Sequence, residues 1–222
     1  FASLNPRHTV GTIIEASFNI HGVTPEGGTK KAVGNLLEKV GLNPEHFIFG
    51  IVATLRSWKG HADLIAAFNL LNNPKITLVI VGDGPQMENC KKLAKNSSYP
   101  KNIKFVGDIQ NIVPYLQAID CFVLPSFANE GVPQALLQAM SVGLPIISCP
   151  VGGIPETLKI YKKAILTEPK NPELLSKAMF KIIKNSNTNQ IKNIHRPFTL
   201  DTMYKTSLEV YDKAIKNRLK MD

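Results

Sequence analysis

With 222 residues, 44 % of them hydrophobic and 19 % charged, the chain is long enough to bury a sizeable core, which excludes a stapled mini-protein, wholesale disorder and a fibrous repeat. Apolar runs such as 76–81 and 121–124 fall far short of the roughly 20 residues that cross a bilayer. Three scattered cysteines, Cys90, Cys121 and Cys149, read as buried thiols of a reducing, cytoplasmic compartment rather than disulfides or metal ligands, and a formal charge of +9 makes anions the natural partners.

In chain order, residues 1–9 begin at Phe1 and lack the charged and apolar regions of a signal peptide, so the sequence reads as a piece of a longer chain. Residues 1–46 are expected to be linker and remnant. From residue 47 onward, strand-like runs alternate with helical patterns. Strands are predicted at 48–53, 76–81, 103–106, 121–124, 145–149 and 164–166, and helices at 62–71, 85–95, 111–118, 133–141 and 172–184. Pro133 suits a first helical turn and Gly143 a helix stop. A polar loop at 185–193 precedes a last helix at 200–218. The alternation predicts an α/β fold: a Rossmann-like, doubly wound parallel sheet over 47–198, with a C-terminal helix over 199–222.

Ligands of that fold bind outside the carboxyl ends of the strands, so the loops 54–60, 82–85, 107–111, 125–133 and 150–156 are the candidates. In Leu55-Arg56-Ser57-Trp58-Lys59-Gly60-His61, the cations Arg56 and Lys59 suit a diphosphate, each charge-assisted bond being worth about 1.5 to 3 kcal/mol. The bland reading is an exposed basic turn, with Trp58 a packing anchor and His61 a surface or capping residue. The turn Gly82-Asp83-Gly84-Pro85 is weaker, because Pro85 and Met87 break the G-x-G-x-x-G pattern of a dinucleotide site. In Pro125-Ser126-Phe127-Ala128-Asn129-Glu130-Gly131-Val132-Pro133-Gln134, Glu130 stands above a strand and Gly131 opens the backbone. The N–H groups of Val132 and Gln134 mark a helix start, where Pro133 has none to offer. Gln138 follows roughly 7.5 Å along that helix. One element thus presents an acid, an anion-binding helix end and an amide to a single elongated ligand, unless Glu130 merely caps the helix.

These residues, in this order, resemble the C-terminal nucleotide-binding domain of the retaining GT-B glycosyltransferases of family 4, the glycosyl transferases group 1 type. Leu55 to Gly60 is similar to the family's R-L-x-x-x-K-G, Val81 to Pro85 to its V-G-D-G-P, Pro125 to Pro145 to its P-S-x-x-E-G…E-A-M-A-x-G-x-P, and Val151 to Glu156 to its G-G-x-x-E loop; residues 19–23 resemble a remnant of the interdomain linker. The resemblance implies transfer of a sugar from a nucleotide sugar, a UDP-sugar before a GDP- or ADP-sugar, to a glycan or lipid-linked acceptor, with retention and without a metal or other cofactor. Lys59 and Arg56 would serve the diphosphate, with Gly82, Asp83 and Gly84 in the same binding set, and backbone from Gly107 to Ile109 would face the nucleobase. Glu130 would act at the transferred sugar beside Gly131, Val132, Pro133 and Gln134, and Gln138 would hold the ribose where the family has a second glutamate. Two departures weaken the expected site. Thr54 stands where the family has an arginine, and the amide of Gln138 replaces a carboxylate. The family's N-terminal domain, which carries the acceptor site, is an expected partner, so this chain by itself is expected to be inactive.

Charge adds a last expectation. Up to Pro150 there are 12 basic and 10 acidic residues, and after it 14 and 7. That positive C-terminal third suits an anionic membrane surface at the inner face of the membrane, or phosphorylated substrates; the bland reading makes Lys177, Lys181 and Lys184 the solvated face of one helix. Nucleic acid is disfavoured, since no basic cluster is interleaved with aromatics. The competing functional readings are a non-catalytic nucleotide-sugar-binding module with a degenerate site, and an unrelated dinucleotide oxidoreductase.

Overall fold

A computed structural model of the chain describes residues 41–186, apart from 44, 111 and 129. The expected linker remnant at 19–23 and the last helix at 200–218 lie outside the described residues, as do most of the polar loop at 185–193 and of the flanking segments 1–46 and 199–222. Six strands form one parallel sheet: β1 (Phe47–Val52), β2 (Ile76–Val81), β3 (Ile103–Gly107), β4 (Cys121–Leu124), β5 (Ile146–Ser148) and β6 (Ala164–Leu166), in the order β3-β2-β1-β4-β5-β6. Register is continuous from Phe47↔Ile76 to Val52↔Val81 across β1 and β2, while β1 meets β4 through Phe49↔Cys121 and Gly50↔Phe122. Inner strands of a parallel sheet are covered on both faces, which is why β2 (ITLVIV) and β4 (CFVL) read as unbroken apolar runs and are buried throughout.

The helices are α1 (His61–Leu71), α2 (Met87–Lys95), α3 (Val113–Ala118), α4 (Gln134–Val142), α5 (Ile154–Leu158) and α6 (Pro172–Ser186). α1 packs between α2 and α6, and α3 packs on α4. Right-handed crossovers place α1 and α2 on one face and α4 and α5 on the other, and α6, after β6, returns to the face of α1. The doubly wound expectation therefore holds, with edges moved by one or two residues. β1 begins at Phe47, β5 is trimmed to its three central residues, and α2 starts at Met87 because Gly84 to Gln86 form the preceding turn. α5 is an element that no sequence pattern announced. Pro133 is a correction: its ψ of 124° is extended, so it caps α4 from outside instead of opening the helix. All three cysteines are buried and free. No helix among the described residues is long and apolar enough to cross a membrane.

Candidate functional site

Strand order reverses between β1 and β4, and the loops leaving their carboxyl ends border the crevice of a doubly wound sheet. The two loops are held together by backbone. Phe127 N–H donates to Trp58 C=O at 2.9 Å, and Gly60, at φ 74°, lies so close that a Cβ there would stand 2.2 Å from the Pro125 carbonyl oxygen. Gly60 ends a short 3-10 turn, Ser57–Lys59, and leads into α1. This turn aims Lys59 across the crevice, where its Nζ donates to Glu130 Oε1 at 2.6 Å. Glu130 is 4 % exposed in its side chain and Lys59 19 %, so the pair sits at the floor with the ammonium on the open side. Glu130 is fixed from behind. Gly153 N–H donates to Gly131 C=O at 3.1 Å, and a Cβ on Gly152, whose φ is 56°, would stand 1.7 Å from the Glu130 carbonyl oxygen.

A second concavity, of about 160 Å³, opens at the carboxyl ends of β1, β2 and β3 and is lined by Thr54, Gly82, Asp83, Asp108, Ile109 and Ile112, among others. Its walls are tied by Leu55 N–H to Asp83 C=O at 3.0 Å, Gln86 N–H to Leu55 C=O at 2.9 Å and Gly82 N–H to Gly107 C=O at 2.8 Å. Asp83 turns back to accept from Gly84 N–H at 2.6 Å. Of the predicted residues, Gly82, Asp83 and Ile109 line this cleft, and Gly84 and Gly107 stand in the turns that tie its walls. Thr54 brings a hydroxyl to it and no charge.

Other predicted residues are placed differently from the expectation. The Arg56 guanidinium lies over the Trp58 ring, 5.3 Å from its centroid, a cation–π contact on the exposed side of the turn. Trp58 therefore carries Arg56 besides packing. With Pro133 as the cap, Leu136 and Leu137 N–H both donate to its carbonyl, at 3.1 and 3.2 Å. The donors that the start of α4 offers are then those of Gln134 and Ala135, and Val132 lies ahead of the cap with its side chain exposed. Gln134 and Gln138, one turn apart, are both exposed on the outer face of α4. Glu130 makes no capping bond to the helix, so that bland alternative fails.

Three residues beside the crevice have surroundings that the sequence does not announce. His61, expected at the surface, is 2 % exposed, and both of its ring nitrogens lack a hydrogen-bond partner; Ser126 Oγ is also buried without one. Burial, and after it the Lys59 ammonium, pull the His61 imidazole down to about 4, so it is neutral at neutral pH. Lys170, in the loop after β6 and at φ 56°, sets its ammonium 4.3 Å from the Phe127 ring centroid. The loop that carries Glu130 is thereby gripped from three sides: by Trp58, by Lys170 and by the Gly152 turn.

Chemically, the crevice offers one cation and the N–H groups of α4 to an anion, one carboxylate to a hydroxyl-bearing group, and a neighbouring cleft for a planar or polar moiety. Among the described residues, no group of three or more His, Cys, Asp or Glu could hold a metal ion. Comparison with known proteins agrees with the motifs. The family model of glycosyl transferases group 1 matches residues 34–195. A glycosyltransferase of Methanocaldococcus jannaschii is 32 % identical over 173 residues, which cover 74 % of this chain and 44 % of that protein. The Escherichia coli UDP-Gal:alpha-D-GlcNAc-diphosphoundecaprenol alpha-1,3-galactosyltransferase is 36 % identical over 126 residues, 54 % of this chain and 32 % of the relative. The crystal structure of Anabaena HepE in complex with UDP superposes with a TM-score of 0.72 at 22 % identity, over 82 % of this chain and 52 % of that one. The chain thus spans less than half the length of these two relatives, and it belongs to the glycosyl transferases group 1 family.

Proposed function

We propose that the crevice between β1 and β4 is the donor site of a glycosyltransferase, binding a nucleoside diphosphate sugar, with UDP as the first candidate. The observation that carries this reading is the Lys59–Glu130 pair at 2.6 Å, which sets a cation and a carboxylate side by side at the point where strand order reverses. Lys59, with the Gln134 and Ala135 N–H groups, takes the diphosphate; Glu130 faces the hydroxyls of the sugar; the cleft of Thr54, Asp83 and Ile109 takes the base; and Gln138 accepts from the ribose. The sugar C1–O bond to the phosphate breaks as a bond from C1 to an acceptor hydroxyl oxygen forms. The electron pair leaves with the nucleoside diphosphate, whose departing phosphate oxygen takes the proton that the acceptor hydroxyl gives up. Charge growing on the departing phosphate is met by Lys59 and the helix start, and no step calls for a metal. Retention at C1 and a glycan or lipid-linked acceptor are part of the proposal. The acceptor site is assigned to protein beyond these residues, so the 222-residue chain binds donor without turnover. Support comes from the crystallisation of HepE with UDP and from the lipid-linked substrate in the name of the E. coli relative.

The test is a calorimetric and thermal-shift panel of UDP, GDP, ADP and their sugars. UDP or a UDP-sugar should raise Tm. Lys59→Ala should weaken diphosphate binding by about 10- to 100-fold, and Gln138→Glu should strengthen it. If no nucleotide in the panel binds, the donor-site reading falls and a degenerate module takes its place.

A further inference from the structure

Within the longer described helices, charge is sorted along the strand direction. Acids gather at the carboxyl ends of the strands, in the first turns that hold Asp63, Glu88, Glu156 and Glu173. The opposite end is a lysine surface. α6 starts after β6 and runs back for 15 residues, about 22 Å, to that end, with Lys177, Lys181 and Lys184 all exposed. The loop before β6 adds exposed Lys159 and Lys162. Helix dipoles favour this sorting. The face is not hydrophilic. Phe180 stands among the α6 lysines with 61 % of its surface exposed. The inner side of the same helix is filled by Leu175, Ala178 and Met179, so Phe180 is surplus to the core.

We infer that the outer face of α6 docks onto an anionic lipid surface, Phe180 entering the headgroup region while the lysines meet phosphates. The composition of the face chooses this occupant. Lysines around isolated large apolar side chains are the pattern of interfacial helices, whereas nucleic acid is gripped by arginine forks and aromatic platforms. Arg56 is the only arginine among the described residues, and it lies at the far end. The chain's own remaining C-terminal segment, 187–222, carries 7 basic and 4 acidic residues, the same sign as the face, and so is not its complement.

The test uses the full 222-residue chain in co-sedimentation with phosphatidylcholine vesicles and with vesicles of roughly one-third phosphatidylglycerol. Binding should favour the anionic vesicles by about 100-fold or more and fall with added salt. Lys177→Gln/Lys181→Gln/Lys184→Gln should cost about 100-fold and Phe180→Ser about tenfold, while both variants keep the wild-type response to UDP. That retained response separates a failed docking surface from a failed donor site. Phe180→Trp adds an indole whose emission, read as the difference from wild type with its single Trp58, should move to the blue only when anionic vesicles are added. Equal binding to neutral vesicles, wild-type binding by both variants, or a preference for duplex DNA that the lysine variant removes would each overturn the proposal. A difference emission from Phe180→Trp already blue and shielded from quencher without lipid would do the same, by showing that the chain covers the face itself.

Discussion

Glu130→Gln puts the crevice to its sharpest test, because it should tighten the binding of a nucleoside diphosphate while damaging the site as a whole. In the free protein the Lys59 charge is neutralised by Glu130 at 2.6 Å. A phosphate oxygen approaching Nζ from the open side would stop at a hydrogen-bond distance, leaving it about 5 Å from the carboxylate, where the two negative charges repel by about 3 kcal/mol at an effective dielectric near 20. The amide introduced by Glu130→Gln keeps an oxygen for Lys59 and removes that repulsion. Against the gain stands the looser lysine, whose regained freedom costs about 1 to 2 kcal/mol when it is fixed again. The net expectation is about 1 to 2 kcal/mol, or roughly 5- to 30-fold tighter UDP. A UDP-sugar should gain less, because it loses the carboxylate facing its hydroxyls. Isothermal titration of both ligands at two ionic strengths reads the difference directly. Should UDP bind the Glu130→Gln variant as weakly as wild type, or more weakly, the carboxylate is not competing for Lys59 and the assignment of that lysine to the diphosphate is wrong.

Three further outcomes follow from the same geometry. Gly152→Ala combines a left-handed φ with a Cβ 1.7 Å from the Glu130 carbonyl oxygen, so urea unfolding should show a loss of about 2 kcal/mol or more and UDP affinity should fall with it; an unaltered midpoint and affinity would mean that the turn does not hold Glu130. His61 has its folded-state value depressed from 6.5 to about 4, so the unfolded chain binds its proton first. The stability His61 contributes is complete above about pH 6.5 and is lost as pH falls towards 4, by about 3 kcal/mol in all; His61→Gln should flatten the pH profile of unfolding between those limits, and parallel profiles would contradict the burial assigned to the imidazole. Tyr161 donates to the Leu144 carbonyl at 2.7 Å inside the core, and Tyr161→Phe should cost about 1 kcal/mol in denaturant titration with UDP binding unchanged. A shift in UDP affinity there would mean that the core under β5 is coupled to the crevice.

What the sequence made legible follows from how each feature is encoded. The inner strands were readable because strands buried on both faces must be continuous apolar runs, and the partly buried edge strands β3 and β6 by their place in the strand–helix alternation; the loops that mattered were readable because the fold places function at one end of the strands. α5 was not, since Ile154–Leu158 is too short for a helical period to emerge. Pro133 was misplaced by one position because a proline before a helix and a proline inside its first turn look alike without ψ. Lys59 and Glu130 were each singled out, yet their pairing spans 71 residues of sequence and is a property of the assembled sheet. His61 was misjudged for the same reason: its burial depends on how the α1 start meets the end of β4, and nothing in the neighbouring residues records that. Ser126, inside the strongest motif, had the better signal, a small hydroxyl residue immediately after a strand and a proline.

The central position of β1 has a kinetic consequence. β1 pairs with β2 on one side and with β4 on the other, and residues 47–107 can close a three-stranded sheet before β4 exists. At about 5 to 20 residues per second of synthesis, that half leaves the ribosome seconds ahead of Glu130, with the β4 side of β1 an unpaired strand edge. Pairing of β4 with β1 covers this edge and brings the loop of Glu130 to Lys59. The pair that forms the proposed donor site therefore reports that β4 has closed on β1, and a chain interrupted before β4 would leave that edge of β1 exposed.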